Sequence, residues 1–523
     1  MIRIALAAEA ASFDLASPAL VGRQVANNGL MRALRESGSA EVALVVPDAD
    51  VCAATAGYPH VFSASSGEVF RWADVVVRAS PMLSDLVAGH AMDNRPPVFG
   101  ITHSISSARV LREFGAQHEH LTARDGIICT SHAVRGTVVS AQRMFGPSEP
   151  SCVPRTGVLP LGFHASDFCH ASQPGLRARV RERFRLGADE IACLYFGRIN
   201  YLTKACLVDM FLALDAAAAR SRKAVTLLLV GWFPSGLMAR QVEAIARQLA
   251  PGVGLRILDG RESEVRRDIW AAADVFVSLV DNIQESFGLT PIQAMGAGLP
   301  CVVSDWDGYK DTVRDGVHGY RIPTLLPPTQ VIESLLRRQF EGLMPHDLCV
   351  GTLAQLTTVD VEIATARLTA LFQDRDLREA QGSAGRKWAM KRFEWRQVIG
   401  RYIDLFQGYP AWDCEDVQAP KGIGNMFDTF PTAVIQLDWL IIRNVARALL
   451  LEPLLEGSMR RTLRDAAPAG CVHQIWNFLG GEDGMTVAKA AARSSFDAFE
   501  TLSSIGWMAK HDLVRVAPPD VTR

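Results

Sequence analysis

The chain has 523 residues, which at about 100–200 residues per domain means two large domains plus an appendage, or three or four smaller units. Hydrophobic residues make up 49% and charged residues 21%, enough apolar material for substantial cores, and the net charge of −2 leaves no global basic field to recruit nucleic acid or anionic lipid. The ten cysteines include no C-x-x-C pair, which excludes the common zinc and disulfide patterns and suits a reducing cytoplasm.

The opening "MIRIALAAEAASF" meets an acid after a short apolar run and reads as a first strand, not a signal peptide. Further β-branched runs follow at 42–47, 75–80, 98–104, 126–131 and 157–162, each trailed by a helical pattern. A second series begins at 191–197 and continues at 225–231, 255–260, 275–280 and 301–305. Continuous apolar strands alternating with helices predict parallel sheets covered on both faces. Two series predict two tandem Rossmann-like, doubly wound domains, spanning 1–185 and 186–408, with the join near 172–190 and the helix at 393–406 closing the second domain. The rhythm then stops. Residues 409–523 read as a Pro/Gly-rich linker and a mainly helical appendage. Within it, "AVIQLDWLIIRNVARALLLEPLL" carries Asp438, Arg443 and Arg447 and predicts a buried amphipathic helix in preference to a membrane span. Residues 485–516 weakly resemble a winged helix with nearly balanced charge, which suggests a packing or protein-partner module without DNA binding.

In doubly wound sheets, ligands bind beyond the carboxyl ends of the strands. The polar residues expected there are Gly22 and Arg23 in the loop after the first strand, His103, Arg198, Lys204, Asp259 with Gly260 and Arg261, and Glu285. The stretch "QESFGLTPIQAMGAGLP" (284–300) predicts a helix with Thr290 as N-cap, Pro291 at the first position and Gln293 completing a capping box, stopped by Gly298 and Pro300. Its N-terminus suits an anion such as phosphate. Glu285 beside it suits a neutral, hydroxyl-rich group, and the two together describe a nucleotide sugar.

The block "ESFGLTPIQAMGAGLPCVVSDWDGYKDTVRDGVHGYRIPT" (285–324) resembles the donor-site signature of retaining GT-B glycosyltransferases of the group 1, family 4 type. "YFGRINYLTK" (195–204) resembles their diphosphate motif, and "GRQVANNGLMRAL", "ITHSISS", "DGIICTSHAV" and "PLGFHASDF" resemble their N-terminal landmarks. The resemblance covers roughly 1–408. It implies that Glu285 holds sugar hydroxyls, that Arg198 and Lys204 clamp the diphosphate, and that His103 lies near the transferred sugar. Ser286, Phe287, Gly288 and Leu289 would contact sugar and diphosphate, with Gly22, Arg23 and Arg261 also contacting substrate. The family's second acid is replaced here by Gln293, which would meet the ribose with an amide in place of a carboxylate.

The resemblance further implies a nucleotide-sugar co-substrate with no cofactor, a glycan, lipid or small-molecule acceptor, at most peripheral membrane contact, and a place in cell-surface polysaccharide biosynthesis. No catalytic metal is expected. "DWD" at 305–307 matches a metal-binding pattern, but so do "DAD" and "DRD" elsewhere, and this one precedes Gly308 as a turn would. A nucleotide-sugar epimerase on the same fold and a degenerate binding scaffold are the alternatives. The tail supplies no donor motif, which predicts that it is dispensable for donor binding.

Overall fold

The computed structural model describes residues 1–8, 22–47, 60–64, 67–88, 95–148, 154–168, 173, 175–409, 422–450, 466–481 and 484–519. Two parallel sheets organise the chain. The first contains β1 (Ile2–Ala7), β2 (Ala40–Val46), β3 (Val61–Ser63), β4 (Val75–Arg78), β5 (Val98–Ile101), β6 (Gly126–Cys129) and β7 (Arg155–Val158), in the order 3-2-1-4-5-6-7. The second contains β8 (Ile191–Phe196), β9 (Val225–Gly231), β10 (Gly254–Asp259), β11 (Val275–Ser278), β12 (Cys301–Ser304) and β13 (Gly319–Ile322), in the order 10-9-8-11-12-13. Strands β5, β6, β9, β11 and β12 are buried from end to end, which is why they read as unbroken apolar runs.

Strand order reverses between β1 and β4 in the first sheet and between β8 and β11 in the second. Such a reversal opens a crevice at the strand ends. In the second sheet, Phe276 of β11 lies beside Leu194 of β8, so the loops leaving these two strands share that crevice. Arg198 and Lys204 leave from one, Glu285 from the other.

Packing at the domain borders differs from the sequence expectation. Helix Leu176–Arg183 lies beneath the second sheet, where Arg177 and Arg181 donate to the carbonyls of Ala272 and to Asp274 at the end of helix Ser263–Ala272. Cations at a helix C-terminus are electrostatically favoured. Helix Trp395–Phe406 packs on helix Gly22–Glu36 of the first domain instead of closing the second. Tyr402 Oη donates to the Pro160 carbonyl at 3.2 Å, and Phe406 meets Phe99 with ring centroids 5.5 Å apart. Trp395 sits between Gly29 and Gly162, where an added Cβ would come within 2.8 and 2.6 Å of the indole. A larger residue at either position would displace the peg.

The tail is docked against the rest of the molecule. Residues 426–432 lie across both domains: Thr137 Oγ1 donates to the Met426 carbonyl and Thr429 Oγ1 to the Ala133 carbonyl on the first-domain side. On the second-domain side, Asp307 N–H donates to the Phe430 carbonyl, and Phe430 meets Trp306 edge-on at 5.9 Å. The apolar stretch from 433 is not an amphipathic helix. It forms β16 (Ala433–Val434), which pairs with β14 (Thr324–Leu326), itself paired with β15 (Thr358–Val359). It then forms β17 (Leu440–Arg443) and a 3₁₀ turn (Val445–Leu450), and its last residues lie outside the described ones. Ile441 and Ile442 take an extended backbone because they pair with β19 (Val514–Ala517), a tertiary contact that helical periodicity does not encode.

β17 is the middle of an antiparallel three-stranded sheet with β18 (Met485–Thr486) and β19, carrying helices Ala469–Leu479, Val487–Arg493 and Ala498–Lys510. The arrangement is winged-helix-like. In DNA-binding modules of this kind the recognition helix is free to enter a groove. Here helix Ala498–Lys510 is buried from Thr501 to Lys510 against the second domain, next to helices Thr329–Phe340 and His346–Leu356. Among the described residues, no helix is long and apolar enough to cross a membrane.

Candidate active site

The loop after β8 is shaped by its own side chains. Asn200 Oδ1 accepts the N–H groups of Leu202 (2.9 Å) and Thr203 (3.1 Å), an Asx turn that folds the chain back on itself. Lys204 N–H then closes onto the Asn200 carbonyl at 2.9 Å. Arg198, at the start of this loop, donates from Nη2 to the Thr203 carbonyl at 3.2 Å. Both cations thus project from one tight turn.

Across the crevice, Lys204 Nζ pairs with Glu285 Oε2. The Glu285 side chain is 10% exposed and that of Lys204 26% exposed. Burial pushes the Glu285 carboxyl up, but the charge and hydrogen bond of Lys204, with the N–H groups of Ser286 and Phe287, outweigh it and hold the group below its ordinary range. Glu285 is therefore an anion at neutral pH.

The helix beyond it is Leu289–Gly296, and its cap differs from the capping box expected from sequence. The N-cap is Gly288, in the left-handed region at φ +92°, and no side chain caps the turn. Thr290 lies inside the helix, and the buried Tyr309 Oη meets Ser278 Oγ at 3.0 Å. An added Cβ on Gly288 would sit 2.2 Å from the Tyr309 ring. The buried tyrosine thus demands the glycine, and the glycine removes the side-chain acceptor that would have quenched the first N–H groups. A helix N-terminus left in that state attracts an anion. Gln293, freed from the box, is partly buried in the next turn.

The first domain reaches this same loop. Ser286 Oγ donates to the His103 carbonyl at 2.6 Å, and Thr130 Oγ1 donates to the Ser286 carbonyl at 3.0 Å. His103 Nε2 is buried without a hydrogen-bond partner among the described residues. Burial, with a smaller contribution from the charge of Arg23, pushes the imidazole down to about 3, so it is neutral at physiological pH. A neutral ring with an unused nitrogen can serve a hydroxyl group.

The structure therefore brings Arg198, Lys204, Glu285 and His103 to one crevice. Gly288 and Leu289 form the open helix start. Ser286 differs: its hydroxyl is spent on the domain contact and does not face an open site. Phe287 turns its ring inward, edge-on to Phe393 at 6.1 Å. Gly22 and Arg23 begin helix Gly22–Glu36 instead of lying in a loop, and both are exposed. Arg261 is held by Asp259 through contacts of 2.7–3.1 Å, at an exposed corner after β10.

The two acids of "DWD" are occupied elsewhere. Asp305 meets Arg321 at 3.3 Å and accepts from Thr432, while the buried Asp307 accepts from Ser131 at 2.7 Å. No cluster of three metal-ligating side chains occurs among the described residues.

Sequence reasoning passed over Asp281 and Asn282, although both directly follow the "VFVSLV" run. Asn282 Nδ2 donates to the Leu202 carbonyl at 2.9 Å, and Asp281 accepts Cys206 N–H at 3.1 Å, so the pair pins the lysine loop on both sides of Lys204. Their place just before Glu285 was a readable signal.

Residues 190–337 match the family model for glycosyl transferases group 1. That segment contains all of β8 to β13 and every cation and acid of the crevice. A D-inositol 3-phosphate glycosyltransferase of Geodermatophilus obscurus is 35% identical over 171 residues, 32% of this chain and 36% of that protein. One from Saccharomonospora viridis is 31% identical over 241 residues, 45% of this chain and 47% of that protein. The match thus spans less than half the length of either relative. Among solved structures, HepE of Anabaena with UDP and glucose aligns over 78% of this chain and all of that one, with 15% identity and a TM-score of 0.53. Sucrose-phosphate synthase from Thermosynechococcus elongatus aligns over 78% of this chain and 98% of that one, with 17% identity and a TM-score of 0.51. These likenesses establish the fold, the two-domain GT-B architecture.

Proposed function

We propose that the protein is a retaining, metal-independent glycosyltransferase of the family 4 type, which moves a sugar from a nucleoside diphosphate donor to a hydroxyl of a glycan, lipid or small-molecule acceptor. The observation that carries this reading is the Lys204–Glu285 pair beside the uncapped start of helix Leu289–Gly296. A cation, an anion and a cluster of free N–H groups within one crevice match a ligand that joins a diphosphate to a polyol.

The chemistry follows from the charges. Breaking the bond from sugar to diphosphate places negative charge on a phosphate oxygen. Arg198, Lys204 and the helix N-terminus meet that charge, and each such preorganised donor contributes about 3–4 kcal/mol to the transition state. Without ligand, Lys204 and Glu285 satisfy each other. Donor binding exchanges these partners: Lys204 turns to the diphosphate, and Glu285 accepts from sugar hydroxyls. Neutral His103 offers its unused nitrogen to the same sugar. None of these groups is assigned the role of a nucleophile. The route is front-face, the departing phosphate oxygen taking the acceptor's proton, and the anomeric configuration is retained.

Solved neighbours with UDP, or with UDP and glucose, make UDP-hexoses the first donors to test. The relatives' name makes phosphorylated polyols a first acceptor class. Thermal-shift screening against nucleotide sugars, then mass spectrometry of products, tests the reading. Stabilisation by one donor and mass transfer to an acceptor are expected. Arg198→Ala should lower kcat/KM roughly 10²–10³-fold. No nucleotide response at all, or wild-type rates in that variant, would reject the site.

A further inference from the structure

Helix Ala498–Lys510 carries its last side chain into the second domain. Lys510 Nζ lies 2.6 Å from Asp209 Oδ2 and 2.5 Å from Asp281 Oδ2, and all three side chains are 0% exposed. Asp209 belongs to the first turn of helix Val208–Ser221 and also accepts Val359 N–H at 3.1 Å. A buried cation between two carboxylates carries a large desolvation cost, so it persists where it fixes a particular arrangement.

The arrangement it fixes is the donor crevice. Both Asp281 oxygens face Cys206 N–H, at 3.1 and 3.2 Å, and Cys206 is two residues beyond Lys204. The neighbouring Asn282 holds the carbonyl of Leu202, two residues before Lys204, and Glu285 follows four residues after Asp281. The loop bearing Lys204 is therefore anchored by Asp281 and by Asn282, whose carbonyl also accepts Glu285 N–H at 3.1 Å, and the tail's lysine pairs with the Asp281 carboxylate.

We propose that Lys510 is a positioning residue for the donor site, acting through Asp281 on the loop that bears Lys204, and that the C-terminal module is thereby part of the nucleotide-binding scaffold. This rests on the transferase reading above. It reverses the expectation that the tail is dispensable for donor binding.

The test uses the full chain and UDP, GDP and ADP as probes, with calorimetric affinity and amide exchange over 198–207 as readouts. Lys510→Met is compared with Val472→Ala, which removes buried volume from the module far from the triad in sequence. Lys510→Met should weaken binding of the preferred nucleotide by about tenfold, the scale of one charge-assisted hydrogen bond, and speed exchange at Cys206. Val472→Ala should lower Tm while leaving affinity and that exchange unchanged. If Lys510→Met does not fold, the variant Lys510→Met with Asp209→Asn and Asp281→Asn leaves no buried charge uncompensated and should show the same two losses. Wild-type affinity and exchange in a folded Lys510 variant, or equal affinity losses in Val472→Ala, would overturn the proposal alone. A wild-type protein that binds none of the three nucleotides would overturn the transferase reading with it.

Discussion

Lys204 and Glu285 are unequal partners, and the inequality can be measured. Replacing Lys204 with Met leaves a carboxylate with 10% side-chain exposure and only the N–H groups of Ser286 and Phe287 for support. Breaking a fully buried pair in this way costs about 3–5 kcal/mol; the 26% exposure of Lys204 reduces the expected loss to about 2–3 kcal/mol. Replacing Glu285 with Gln leaves a lysine that can turn to water, at a cost under about 1 kcal/mol. The double variant should resemble Glu285→Gln alone, so the two changes couple by roughly 2 kcal/mol. Urea unfolding of the four proteins without nucleotide, at pH 7, reads the cycle directly. Because the Glu285 carboxyl is held below its ordinary range, its contribution is present above the unfolded value of 4.5 and is lost as pH falls through the folded one. The stability gap between wild type and Lys204→Met should therefore narrow on acidification below that range. Additive losses at pH 7, or a gap that widens in acid, would refute the buried-pair argument. All three variants should be slow in transfer, since stability recovered in the double variant restores neither partner's task with the donor.

Gly288→Ala places a left-handed residue at about 1–2 kcal/mol and drives its Cβ into the Tyr309 ring, about 1–3 kcal/mol more. A lower Tm and weakened nucleotide binding should appear together, by differential scanning calorimetry and titration, and an unchanged Kd would separate the helix start from the ligand. Gln293→Glu should tighten nucleotide binding by about 1 kcal/mol if the side chain reaches a ribose. Because helix Leu289–Gly296 has no side-chain cap, unchanged affinity would leave Gln293 without a role at the site. Transfer assayed with excess chelator should proceed at the untreated rate. Loss restored by magnesium or manganese would show that Arg198, Lys204 and the helix start are insufficient for the leaving group.

The inner strands of both sheets were legible because they are buried on two faces, and every apolar run in the two series overlaps a strand. β3 and β13 escaped notice for physical reasons. β3 is a three-residue edge strand of intermediate burial, and β13 opens on Gly319 at φ +134° with only its first and last residues buried, so neither makes an apolar run. The stretch from 433 misled because its spacing fits a helix face, while the partner strand that makes it extended lies some seventy residues later. The packing of the segments at the domain borders was hidden by the same limitation. Arg177 and Trp395 belong to the domain they pack against, and neither composition nor turn residues record that choice.

The sequence pattern singled out Glu285, Arg198, Lys204 and His103 as candidates because each leaves a strand end, and the switch point of a doubly wound sheet brings strand ends together. What the pattern could not supply was the state of each group. Thr290 and Gln293 have the spacing of a capping box, but a capping box needs Thr290 outside the helix. The helix instead starts at Leu289, with Thr290 inside it, and Gly288, the one residue tolerated beneath the Tyr309 ring, is the cap. A motif that stabilises an ordinary helix is thereby absent at helix Leu289–Gly296, which follows Glu285 directly. The same logic separates Ser286 from its neighbours. Its hydroxyl donates to the His103 carbonyl, so a residue expected to touch the ligand instead joins the two domains beside the candidate site.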